Sequence, residues 1–159
     1  MVVLGYPDTT HVTMEDMLHH CKAVTRGAKH SLIVCDLPYE SYQNATMAVE
    51  NARRLIDAGA QAVKLEGGVI RESTIAAITA SGIPVMGHIG MLPQSVKIEG
   101  GYRMKGESSS EAEALLADAK ALEHAGAFAL VMELIMPDVS KNVTNASSIP
   151  TIGIGSGIH

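Results

Sequence analysis

Three stretches share one pattern: Asp57-Ala58-Gly59-Ala60-Gln61-Ala62-Val63, Ala80-Ser81-Gly82-Ile83-Pro84-Val85 and His124-Ala125-Gly126-Ala127-Phe128-Ala129-Leu130. Each reads as a helix end, a glycine in the left-handed cap and then a buried strand. Working outward, amphipathic helices alternate with short apolar runs. Thr13 caps a first helix with Asp16 in the capping-box position, and Met14, Met17, Leu18, Cys21 and Val24 form its stripe up to Gly27. Ser31–Asp36 is a strand, 41–58 a helix, 62–65 a strand, 72–80 a short helix and 83–87 a strand. Ser110, with Glu113 three residues on, opens a helix to Ala125; 127–133 and 150–154 are the last strands. Met1–Leu4 reads as the end of a further strand running into a turn at 5–7.

Strands apolar on both faces, alternating with helices, imply a parallel sheet covered by helices, either a (β/α) barrel or an open doubly wound sheet. The polar residues favour the barrel. Asp36, Glu66, His88 and Glu133 each fall at the carboxyl end of a different strand, where barrels assemble active sites. An open sheet gathers its site at one switch point. The fold expected is therefore α/β, a (β/α)8 TIM-type barrel, with residues 1–159 forming a single partial domain of about five strand–helix units. The sequence reads as the middle of a larger barrel.

Composition narrows the function. Of 159 residues, 47% are apolar, 18% charged and 3% aromatic, with net charge −5, so the chain folds and offers no basic face to nucleic acid. No apolar run reaches the ~20 residues of a membrane span, and no basic segment precedes an apolar one as in a signal peptide. Two cysteines, Cys21 and Cys35, are too few for a disulfide scaffold and lack metal-site spacing, so they read as buried thiols in a reducing compartment.

The strand ends carry the chemistry. Asp36 and Glu66 are either two solvated acids or a pair whose mutual repulsion a divalent cation relieves, and oxygen-only ligands suit Mg²⁺ or Mn²⁺. Lys64 lies two residues before Glu66 and so faces the same side, either toward the acids and a substrate anion at a barrel mouth or outward on the solvated face of an edge strand. His88, between Gly87 and Gly90, is either a satisfied structural histidine or a site residue whose flanking glycines admit a close ligand. Glu133 emerges from an apolar run and is either a proton-transfer carboxyl of raised pKa or a helix N-cap or solvated strand end. His19, His20, His30, His124 and His159 read as surface residues. The 153–157 turn, Gly-Ile-Gly-Ser-Gly, is either a phosphate-binding turn or an ordinary tight turn, and 89–110 is either a lid centred on 100–103 or a surface excursion.

These motifs together resemble the ketopantoate hydroxymethyltransferase family. The resemblance rests on Leu4-Gly5-Tyr6 with Asp8-Thr9-Thr10, His20–Gly27, Asp36-Leu37-Pro38-Tyr39 with Ser41-Tyr42, Val63–Gly68, Gly87–Gly90 with Pro93-Gln94, Gly100–Arg103, Ala125–Phe128 with Glu133, and Ile149–Gly155, in the family's order. Tyr39 stands where Phe is often found, and Met91-Leu92 replaces the usual Leu-Thr. The resemblance implies transfer of a hydroxymethyl group from 5,10-methylenetetrahydrofolate, the co-substrate, to 3-methyl-2-oxobutanoate through a metal-stabilised enolate. The product is 2-dehydropantoate, on the route to pantothenate.

By the same resemblance Asp36 and Glu66 hold Mg²⁺, or Mn²⁺ or another divalent ion. Asp36, Lys64 and His88 bind the keto acid, and Glu133 moves the proton. The family's Asp-Ser pair, a metal ligand and a keto-acid contact, belongs ahead of Met1. A homo-oligomer, a decamer, in the cytoplasm (or an organelle, in a eukaryote) is implied, with no nucleic-acid or membrane partner. The alternatives are another Mg-dependent keto-acid C–C lyase on the same barrel, and a non-catalytic phosphate-ligand-binding module.

Overall fold

The computed structural model describes residues 2–158. Its five strands, β1 (Val34–Asp36), β2 (Ala62–Lys64), β3 (Val85–Gly90), β4 (Ala129–Glu133) and β5 (Thr151–Ile154), are all parallel and lie side by side in chain order. No strand reverses that order, so the sheet has no switch point. This is the progression of a (β/α) barrel rather than of an open doubly wound sheet, and the chain forms a five-stranded part of one.

Helices α1 (Met14–Gly27), α2 (Ala45–Asp57), α3 (Glu72–Ala80), the short α4 (Val96–Glu99), α5 (Ser109–His124) and α6 (Pro137–Ala146) alternate with the strands. Leu55 of α2, Ile75 and Ile78 of α3, and Leu122 of α5 are fully buried, as are Val63, Val85, Leu130 and Met132 of the sheet. Both cysteines are free and buried in this core, and burial pushes the Cys35 thiol up to about 12. Among the described residues no helix is long and apolar enough to cross a membrane.

The caps explain the boundaries. Thr13 and Asp16 form a reciprocal capping box at α1, as the sequence indicates. At α5 the cap is Ser108, not Ser110: the Ser108 hydroxyl accepts from the Glu111 amide, while the Glu111 carboxylate accepts from the amides of Gly106 and Glu107. Helix α2 begins at Ala45 because Asn44, not Ser41, caps it; Ser41 is buried, its hydroxyl donating to the Pro38 carbonyl. The strands shift too: β1 starts only at Val34, and β3 extends to Gly90.

The strand end expected at Met1–Leu4 is not there. Val2–Leu4 form an exposed turn, and Met1 lies outside the described residues, as does His159. The glycine reading at His88 is also corrected. A Cβ at Gly87 would lie 2.6 Å from Leu122, and one at Gly90 would lie 2.2 Å from the Glu133 carbonyl oxygen. These glycines let α5 and β4 close on β3; they make room for protein, not ligand.

Candidate active site

Parallel register brings the strand ends to one edge. Asp36 ends β1 opposite Lys64, the last residue of β2, and Glu133 ends β4 opposite Gly90 of β3. Lys64, Glu66, His88 and Glu133, with Asp36, all line a cleft of about 320 Å³, which Thr9, Val12 and Met17 close from the N-terminal segment. Pro38, Pro93, Gln94, Val131 and Ile154 complete its wall. All five residues singled out from the sequence therefore converge. The other histidines do not: none of the five others described lines this cleft.

Within the cleft the charges are linked. The Lys64 ammonium lies 2.8 Å from Asp36 Oδ2 and 3.5 Å from His88 Nδ1. An ammonium only donates, so the Nδ1 lone pair accepts and the ring proton of a neutral imidazole resides on Nε2. Nε2 faces Glu133 Oε2 at 3.3 Å but is buried without an aligned hydrogen bond. Glu66 Oε1 lies 3.9 Å from Nδ1, and Glu66 Oε2 accepts the Gln94 backbone N–H at 3.0 Å.

Electrostatics follow burial. Desolvation, then the nearby Lys64 cation, pull His88 down to about 3, so the ring is neutral. Burial pushes Glu66 up to about 7 against the Gln94 hydrogen bond and the Lys64 cation, which favour the ion. Burial also raises the Glu133 carboxyl, with Lys64 opposing.

Asp36 and Glu66 present hard carboxylate oxygens to the same cleft, a donor set that fits Mg²⁺ or Mn²⁺. Among the described residues no three metal-binding side chains cluster.

Two other segments resolve differently from a phosphate turn and a free lid. Ser156 is buried; its hydroxyl donates to the Met132 carbonyl at 2.8 Å and accepts from the Ile135 amide at 3.1 Å. The 153–157 turn thus fastens the chain that leaves β4. The 89–110 segment is stitched by Lys105, whose amide donates to the Leu134 carbonyl and whose carbonyl accepts from Met136, and Arg103 pairs with Glu111. Sequence reasoning gave no role to Gln94, although its amide and backbone both reach the site. A glutamine in a loop has no periodic signal to mark it.

A family model described as ketopantoate hydroxymethyltransferase matches residues 1–159. The chain is 56% identical over 159 residues to the 3-methyl-2-oxobutanoate hydroxymethyltransferase of Clostridium kluyveri, covering 99% of this chain and 57% of that protein. It is 52% identical over 158 residues to the enzyme of the same name from Cenarchaeum symbiosum, covering 99% and 60%. The chain thus spans under two thirds of the length of these curated relatives. Among solved structures, a 2,3-dimethylmalate lyase of the PEP mutase/isocitrate lyase superfamily superposes with a TM-score of 0.66 at 16% identity, covering 94% of this chain and 54% of that one. At that identity the likeness concerns the fold.

Proposed function

Since the chain belongs to the ketopantoate hydroxymethyltransferase family along its whole length, we propose that the protein transfers a hydroxymethyl group from 5,10-methylenetetrahydrofolate to 3-methyl-2-oxobutanoate, yielding 2-dehydropantoate for pantothenate biosynthesis. The observation that carries this reading is the convergence of Asp36, Lys64, Glu66, His88 and Glu133 on one cleft. Asp36 and Glu66 would hold Mg²⁺ or Mn²⁺, and the ion when bound supplies Lewis acidity toward the keto acid's oxygens.

The remaining work falls to the protein's own groups. Lys64, half-shielded beside Asp36, offers a cation to the substrate carboxylate and to negative charge developing on the keto oxygen. Glu133 accepts the C3 proton; its burial makes it a stronger base than a solvated carboxylate. His88, held neutral, borders Glu133 without adding a competing cation. Val12, Met17, Val131 and Ile154 give the apolar end of the keto acid a dry wall. The nucleophilic carbon then attacks the one-carbon unit at the open edge of the strands; a C–C bond forms as the C–N bonds to the folate break, water supplies the hydroxyl oxygen, and tetrahydrofolate leaves.

The test is product formation from the keto acid and methylenetetrahydrofolate, followed by mass spectrometry. Chelation should abolish it and Mg²⁺ restore it; Asp36→Ala and Glu66→Ala should each cost more than ~10-fold. Full activity after thorough metal removal, or no folate-dependent product, contradicts the proposal.

A further inference from the structure

The buried groups behind the carboxylates form a connected clamp centred on one amide. Gln94 is 8% exposed and lies in the turn Pro93–Ser95 after β3. Its Nε2 donates to the Leu37 carbonyl at 3.0 Å, immediately after Asp36. Its Oε1 accepts from the Tyr42 hydroxyl at 2.5 Å, and its backbone N–H donates to Glu66 Oε2 at 3.0 Å. The carbonyl of Leu37 can only accept, so the amide orientation is fixed. Tyr42 is held in turn: the Arg71 guanidinium lies 4.8 Å from its ring centroid, and Arg71 Nη1 donates to the Tyr42 carbonyl at 3.3 Å. Gly67, at φ +119°, lets Arg71 pass, for a Cβ there would lie 2.8 Å from Arg71 Cγ.

From this geometry we infer that Gln94 is a positioning residue that sets the spacing of Asp36 and Glu66, holding one through the backbone of β1's end and the other through its carboxylate. The inference rests on the reading of these two acids as metal residues. The side chain of Gln94 bolts its turn to β1, and the bolted turn presents its N–H to Glu66. Leu37, Tyr42 and Glu66 are all at least nine-tenths buried, so water cannot replace a lost partner without cost. Without the bolt, the two carboxylates keep their identity but lose their fixed separation.

The experiment is Mn²⁺ binding, read by the electron paramagnetic resonance of free and bound ion, with a thermal melt for every variant. Gln94→Leu keeps the side chain's bulk and cuts both of its bonds. Tyr42→Phe cuts only the bond to Oε1 and carries the test if Gln94→Leu fails to fold. Ile78→Val in α3 is a core control with no part in the clamp. Gln94→Leu should weaken Mn²⁺ binding by about 10-fold or more, the scale seen when groups supporting metal ligands are lost. Tyr42→Phe should weaken it less, and Ile78→Val should not change it.

Asp36→Asn and Glu66→Gln separate the two claims. If they lose affinity while folded Gln94→Leu, or Tyr42→Phe in its place, stays within about twofold of wild type, the inference is overturned and the metal reading stands. If neither carboxylate variant loses affinity, the metal reading fails and the inference with it.

Discussion

His88 is a buried, uncharged imidazole among three ionisable neighbours, and its protonation has a definite sign in stability. Its pKa falls from an ordinary 6.5 to about 3 on folding, so between those values the unfolded chain binds the extra proton. The stability it contributes is present above about 6.5 and is lost as pH falls toward about 3, on the order of a few kcal/mol in all. Glu66 acts oppositely. Raised from 4.5 to about 7, it binds its proton more tightly in the folded state, and its contribution is lost as pH rises through that window. Comparing wild type with His88→Gln isolates the histidine: melts of metal-free protein from pH 7 to pH 4 should show the wild type losing ground to the variant. A difference that does not change with pH would contradict a neutral His88. The residue's place at a strand end was legible in the sequence. Its neutrality was not, because that depends on burial and on the approach of Lys64, which lies 24 positions away in the chain.

At the scale of elements, what the sequence revealed depended on how many signals coincided. Strand β2 and helix α3 had apolar runs and a following or preceding Gly stop, and both lie where the pattern placed them. Helix α6 follows no such coincidence of signals in the sequence. Its apolar face is only Val143 and half-buried Val139, four residues apart, and it starts with Pro137 and no side-chain cap, so the stripe is too short to announce a helix. At α5 the run Ser108-Ser109-Ser110 offers a capping serine in two registers, with Glu111 or Glu113 at the third position. Contacts with the preceding loop choose the first, because the Glu111 carboxylate also binds the amides of Gly106 and Glu107 and pairs with Arg103. Ser108→Ala should therefore lower stability by about 1 kcal/mol, while Ser110→Ala should change it little. Equal losses in denaturant melts of the two variants would reject this assignment. Gly68 had no visible signal beyond its neighbour Gly67. Its need is steric, since a Cβ there would fall 1.8 Å from the Asp118 carboxylate of α5, which accepts the Val69 amide.

At the scale of the molecule, the ordered parallel sheet explains why residues distant in sequence share a cleft. The ends of β1 to β4 each bring ionisable groups to the same edge, β5 adds Ile154, and the helices between strands return the chain to the opposite end. The barrel class was legible because that edge chemistry repeats on successive strands. Strand β5 carries a cost: Ile152 and Ile154, on the face that turns toward the cleft, are 46% and 50% exposed on a strand with one neighbour among the described residues. Such an edge invites pairing. The 159-residue chain on its own should self-associate in light scattering, and Ile152→Lys should reduce the effect; a monodisperse monomer at high concentration would contradict it.

The central claim is that the cleft removes the C3 proton of 3-methyl-2-oxobutanoate with Glu133 as base. Exchange of that proton, followed by NMR in deuterated water with Mg²⁺ and without folate, reads this step alone. The protein should catalyse exchange, and Glu133→Gln should slow it by about 10²–10⁴-fold while Mn²⁺ affinity holds. Exchange in Glu133→Gln as fast as in wild type, or none in wild type, would contradict the account.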